Sequence, residues 1–269
     1  MQEIITDNLD SSIEEHQRRG YRLDMIFPAD NPREALMSRA GEEIHLLRRP
    51  ARNEGIDSDD RSPYSVRASA TGDWTVGRAG MLYRDLTPAH LRSKVIASHI
   101  RVAHNGDVPD HVHYHKIRVQ MIYCVRGRIK VVYQDQGPPF WLETGDCILQ
   151  PPEIRHRVLE STAGAEVIEV TAPAEHETWI DHEIVLPTGR VLPDREFGGQ
   201  RFVRHVAVQG GVECETGIRL ATKGLAKVCV DRSLEVSTSK DSGFEDLVFP
   251  LDDGKYFKVS LSRELFSIS

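Results

Sequence analysis

Residues 106–127 read GDVPDHVHYHKIRVQMIYCVRG, and residues 145–160 read GDCILQPPEIRHRVLE. His111, His113 and His115 occupy every second position of the first stretch. His156 stands alone in the second, after a Gly-Asp pair and Pro151-Pro152. On an extended strand, side chains two apart point to the same face. His113 and His115 can therefore aim their imidazoles at one point, and a third imidazole from a distant strand would complete a metal pocket. Imidazole suits zinc, iron, copper and nickel, so a transition metal is expected rather than calcium or magnesium.

These two stretches resemble the two-motif signature of the cupin superfamily, G-x5-H-x-H-x3,4-E-x6-G followed by G-x5-P-x-G-x2-H-x3-N. Here His113-Tyr114-His115 is followed after four residues by Gln120 and six residues later by Gly127. The second motif runs from Gly145 through Pro151 to His156 at the expected spacing. Four positions depart from the pattern. Gly106 lies one residue further from His113 than the motif asks, Gln120 replaces the acidic ligand, Glu153 the second glycine and Glu160 the asparagine. The resemblance covers residues 95 to 175. It implies a mainly β fold, a cupin-type antiparallel β-barrel of the jelly-roll kind with the metal inside. It further implies one divalent transition metal per chain, iron or alternatively zinc, nickel or manganese, on His113, His115, Gln120 and His156.

The rest of the chain sets limits. A length of 269 residues accommodates one large β domain or two smaller ones. A net charge of −7, with no Lys/Arg-dense stripe, argues against nucleic acid as a partner. No apolar run reaches transmembrane length, and MQEIITDNLD has neither part of a secretory signal. Cys124, Cys147, Cys214 and Cys229 form no C-x-x-C pair, so a reducing cytoplasm without a disulfide framework is expected. P-loop, dinucleotide and G-x-S-x-G fingerprints are absent.

Pattern divides the chain into a small N-terminal unit with linker over residues 1–60, the metal-binding barrel over 74–187, and a C-terminal β region over 190–269. SSIEEHQRRG reads as a helix stopped by Gly20, and the apolar runs flanking Pro28, Asn31 and Pro32 read as two strands around a turn or short helix. ARNEGIDSDDRSP, residues 51–63, reads as a mobile linker. From Trp74 onward, short β-branched and aromatic runs such as KVIASHIRV, QMIYCVRG and AEVIEVTAP alternate with turns. RFVRHVAV, AKVCV, FEDLVF and YFKVSLS continue the β pattern after Arg201. No histidine follows His205, so that region is expected to hold no metal and to act as a degenerate cupin-like unit or a dimer interface. A homodimer acting on a small molecule is the expected assembly.

Within the site, Gln120 lies five residues from His115, the wrong parity for one straight strand. A bend within KIRV would turn it inward with Ile122 and Cys124. Its amide then either binds the metal or orients a histidine or water beside it. Cys124 is expected in the core, His111 at the pocket edge or surface, and Tyr114, Arg155 and Arg157 facing away from the metal. Arg101, Arg118 and Tyr133 either line the pocket mouth or, the preferred reading, sit at the solvated surface, and His176 and His182 are expected at the surface.

Three neutral imidazoles and a neutral amide leave the full charge on a divalent ion, which favours anionic bidentate ligands such as enolates, diketonates, hydroxy acids and catecholates. Two routes are open. Fe(II) chemistry would resemble the superfamily's three-histidine dioxygenases, with a dicarbonyl, catechol-like or hydroxy-acid substrate. Zinc, nickel or manganese would serve as a Lewis acid for isomerisation, cyclisation or decarboxylation, as the superfamily's small polyketide cyclases look similar in their metal sets. The oxygenase is the leading expectation, and a sensing or storage cupin is the non-enzymatic one. No second acid–base pair stands out in the sequence.

Overall fold

The computed structural model describes residues 1–29, 32–49, 74–208, 216–232 and 243–267. The linker expected over residues 51–63 lies outside them. The chain opens with strand β1 (Gln2–Thr6), helix α1 (Leu9–Arg18), and strands β2 (Arg22–Phe27), β3 (Glu34–Arg39) and β4 (Glu42–Arg48). The Asn8 side chain caps α1 by accepting from the Ser11 N–H, and Gly20, at φ +87°, lets the chain leave the helix. Three strands follow the helix where the pattern gave two. Ala40 and Gly41 both take positive φ, and that tight turn sends EEIHLLR back as β4 beside β3. Leu9, Tyr21, Ala35, Met37, Ile44 and Leu46 bury a small core of their own.

The barrel strands are β5 (Thr75–Val76), β6 (Leu82–Asp85), β7 (Ile96–Val102), β8 (Gly106–Asp107) and β9 (His113–His115). Next come β10 (Val119–Arg126), β11 (Arg128–Tyr133), β12 (Phe140–Glu143) and β13 (Cys147–Gln150). After them lie β14 (His156–Ser161), β15 (Ala165–Ala172), β16 (Thr178–Ile180), the hairpin β17 (Glu196–Phe197) with β18 (Gln200–Arg201), and β19 (Val203–His205). Apart from the β17–β18 hairpin, which is a two-stranded sheet of its own, they form two facing sheets. One is ordered β1-β4-β3-β2-β16-β9-β14-β11-β12, with β8 beside β14; the other is β19-β13-β10-β15-β7-β6-β5. The β2–β16 pairing makes the N-terminal strands a continuation of the first sheet. Met81, Ile100, Val102, Cys124, Ile129, Tyr133, Ile148 and Val167 fill the interior between the sheets.

The second sheet is buried on both faces. Val119, Met121 and Tyr123 of β10, with Cys147, Leu149, Ile168 and Val170, turn away from the barrel interior. They meet a separate sheet of β20 (Ala226–Asp231), β21 (Phe244–Pro250) and β22 (Tyr256–Ser262), ordered β20-β22-β21. Phe257 of β22 is fully buried and stacks on Tyr123 with ring centroids 4.4 Å apart. This double burial explains why CILQ, VQMIYCVR and AEVIEVTA read as near-continuous apolar runs rather than strict alternation. Arg118 lies outside the barrel interior, where it donates to the backbone carbonyls of Glu264 and Leu265. No helix among the described residues is long and apolar enough to cross a membrane. One cysteine corrects the sequence reading: Cys229 is disulfide-bonded, while Cys124 and Cys147 are buried free thiols.

The turn after β11 is held by Asp135, a buried residue at φ +58°. Its carboxylate accepts from the Thr188 hydroxyl at 2.7 Å, from Arg190 Nε at 2.9 Å and from Arg195, tying residues 188–195 to the barrel. Burial works against ionisation, but these three donors outweigh it and hold the carboxyl below the usual aspartate range. Both guanidinium groups are partly exposed and can rehydrate. Asp135→Ala is therefore expected to cost about 1.5–3 kcal/mol, the range for hydrogen bonds to a charged group. The folded-state pKa is depressed, so this stability is present above the unfolded value of about 3.9 and is lost as pH falls through the folded one. Urea unfolding of both proteins at pH 7 and near pH 3 should show the difference shrink at the acid end.

Candidate metal centre

His113 and His115 share β9, and the intervening Tyr114 turns outward, where its ring lies 4.0 Å beneath the Arg155 guanidinium. β14 runs antiparallel to β9 with His156 opposite His113, and β16 flanks the other side with Thr178 opposite His115. The three histidines are all buried, and one ring nitrogen of each lies within 4.8 Å of the others.

Hydrogen bonds fix which nitrogens these are. His113 Nδ1 lies 2.7 Å from the His111 carbonyl, and His156 Nδ1 lies 2.9 Å from the Ile154 carbonyl. A carbonyl only accepts, so both Nδ1 atoms carry the proton and Nε2 bears the lone pair. His115 Nδ1 meets the Thr178 hydroxyl at 2.8 Å, which can accept in the same way. The Nε2 atoms of three buried imidazoles thus converge on one point of the pocket. The donor set therefore fits a divalent transition ion. Buried Asp110 supports β9 and β14, accepting from the His111 and Val158 amides, with its carboxylate 3.8 Å from His113 Nδ1.

Between β9 and β10 the chain passes at KIRV from one sheet to the other, which brings Gln120 to the opposite wall. Gln120 is fully buried, and its strand neighbours across the sheet are Gln150 on β13 and Thr171 on β15. Gln150 decides the orientation of this row. Its Nε2 is 3.0 Å from His156 Nε2, which bears a lone pair, so this end of Gln150 must be the amide N–H. The same Nε2 lies 2.9 Å from Gln120 Oε1, while Gln150 Oε1 accepts from the Tyr133 hydroxyl at 2.6 Å. The oxygen of Gln120 is thus engaged. Its Nε2 is buried without a hydrogen-bond partner, as is Thr171 Oγ1.

The structure corrects two residues expected at the surface. Tyr133 is 2 % exposed, stacks on His156 with centroids 5.5 Å apart, and stays protonated because burial pushes its pKa up, with the charge of Glu169 adding to the shift. His176 is buried with its ring centroid 5.6 Å from that of His115 and its Nδ1 3.1 Å from the Pro173 carbonyl. His111 is exposed, Cys124 is buried, and His182 is exposed, with Nε2 on the Leu23 carbonyl. Arg101 pairs with Glu166 outside this site.

Asp110, Gln150, Glu169, Thr171 and Thr178 were not singled out from sequence. The available signal was a polar residue within, or ending, an otherwise buried run, as with Gln150 in CILQ and Glu169 in AEVIEVTA. A surface groove of about 370 Å³ lies apart from the histidines, lined by Arg22, Asp24, Tyr114, Arg155 and Trp179 on the side to which Tyr114 points.

Residues 98–171 match the family model of the cupin domain. No curated protein matches the chain. Among solved structures, the polyketide cyclase RemF from Streptomyces resistomycificus aligns at 19% identity and a TM-score of 0.36, over 44% of this chain and 84% of its own. KdgF from Halomonas sp. aligns at 20% identity and a TM-score of 0.31, over 38% of this chain and 87% of its own. A deletion mutant of Bacillus subtilis oxalate decarboxylase OxdC aligns at 12% identity and a TM-score of 0.38, over 60% of this chain and 55% of its own. The three inward-facing histidines lie inside the matched segment, and residues 98–171 form a cupin domain.

Proposed function

We propose that this protein is a metal-dependent enzyme in which His113, His115 and His156 hold one divalent transition ion and a small chelating anion is the substrate. The observation that carries this reading is the convergence of three buried imidazoles with Nδ1 of each tied to a carbonyl or hydroxyl. When bound, the ion supplies Lewis acidity and, if it is iron, the redox chemistry an oxygenase needs. The protein residues do the rest. The Nδ1 contacts orient the rings, Asp110 braces the two strands that carry His113 and His156, and Gln120 lies beside the set with its oxygen held by Gln150. Among the described residues no carboxylate joins the three-histidine set. The ion therefore keeps its charge for an anionic ligand, which supports a dioxygenase acting on a dicarbonyl, catechol-like or hydroxy-acid substrate.

The hydrogen-bonded row Tyr133–Gln150–Gln120 favours a second reading. The row holds the Gln120 amide in place, and its N–H groups beside a Lewis acid suit stabilisation of an enolate during isomerisation, cyclisation or decarboxylation. The two readings separate in one assay. Fe(II)-loaded protein turning over a 1,3-dicarbonyl should consume O2 in step with substrate and stop under anaerobic conditions. Equal anaerobic turnover would transfer the assignment to the Lewis-acid route.

A further inference from the structure

The wall opposite the histidines holds two buried hydrogen-bonding atoms, Gln120 Nε2 and Thr171 Oγ1, on residues that are backbone partners across adjacent strands. Both residues are at most 1 % exposed. Leaving a buried donor unsatisfied costs about 1–3 kcal/mol, so a pair of them on one wall is expensive unless something fills the space between. Gln120 Oε1 accepts from Gln150 Nε2 at 2.9 Å, which leaves its amide nitrogen to present N–H groups. The Thr171 hydroxyl can donate as well. One oxygen atom between them would accept from both.

Charge narrows what that oxygen belongs to. Glu169 sits two residues before Thr171 on the same face of β15, opposite Ile122, and its charge reaches Tyr133. A carboxylate seated at Thr171 would lie beside another carboxylate, whereas a hydroxyl or carbonyl would not. We propose that Gln120 and Thr171 form a specificity seat for a neutral oxygen of the substrate, on the far side from its chelating group. This rests on the metal-centre reading above and adds to it a substrate class: a small chelating acid or enolate carrying one further hydroxyl or carbonyl.

The test uses zinc-loaded full-length protein titrated calorimetrically with lactate, glycerate and malate. All three offer a divalent ion the same α-hydroxy-acid chelate, but only glycerate adds a neutral oxygen, while malate adds a second carboxylate. Glycerate should bind about tenfold tighter than lactate, a ratio of about 1.4 kcal/mol, and tighter than malate. Thr171→Val should bring glycerate down to the lactate level with zinc content unchanged, and Thr171→Ser should keep the preference. The ratio of affinities isolates the seat from any general loosening of the fold. Equal binding of lactate and glycerate, a preference that survives Thr171→Val, malate as the tightest ligand, or no binding by any of the three to zinc-loaded protein would overturn the inference. A wild-type protein that takes up no zinc would fail the metal centre itself, and the seat with it.

Discussion

Replacing His113 or His156 by alanine should strip the protein of stoichiometric metal. Each change removes one of three nitrogen donors, and the two residues sit opposite each other on neighbouring strands with ring centroids 4.2 Å apart. Loss of a residue that merely orients a ligand typically weakens metal binding by about 10–100-fold, so loss of a ligand should exceed the upper end of that range. His111→Ala is the matched control, since His111 is exposed and meets the site through its backbone N–H and carbonyl. Elemental analysis after dialysis against a chelator, with circular dichroism to show that each variant is folded, provides the check. Near-full metal in both ligand variants would remove the histidine set from the account.

Truncating Phe257 to alanine should cost about 3–5 kcal/mol, the largest stability loss expected from a single change in this chain. Its ring is fully buried, stacked on Tyr123 of the barrel and packed on Phe249 with centroids 5.8 Å apart. The cavity would open at the seam between the C-terminal sheet and the outward face of β10, so the loss would not be confined to the last sixty residues. Urea unfolding followed by far-UV signal should shift as one transition. A loss below about 1 kcal/mol would mean that this sheet is not seated on the barrel.

Spacing made the ligands legible. His113, His115 and His156 lie within two short stretches whose periodicity and turn residues dictate inward-facing side chains, and no long-range packing is needed to see it. Gln120 was legible in part, because its parity with His115 demanded a break, and KIRV is where the chain changes sheets. Tyr133 and His176 were not. Each ends or follows a strand whose local pattern is equally consistent with a surface position, and each is buried only by what folds over it from elsewhere in the chain. The third N-terminal strand was hidden because Ala40-Gly41 lacks the usual asparagine or aspartate of a tight hairpin. The disulfide at Cys229 was missed because Cys229 stands in no C-x-x-C or other local cysteine motif. The polar row of Gln150, Gln120 and Thr171 comes from three strands distant in sequence, and only the register brings them side by side.

The central claim is a single metal held by three histidines. Crystals of the protein purified without added metal, measured on either side of a transition-metal absorption edge, test it most directly. One anomalous peak per chain should appear between the Nε2 atoms of His113, His115 and His156, with Gln120 and Thr171 on the wall facing it. No peak at that position, or a peak confined to other residues, would contradict the account.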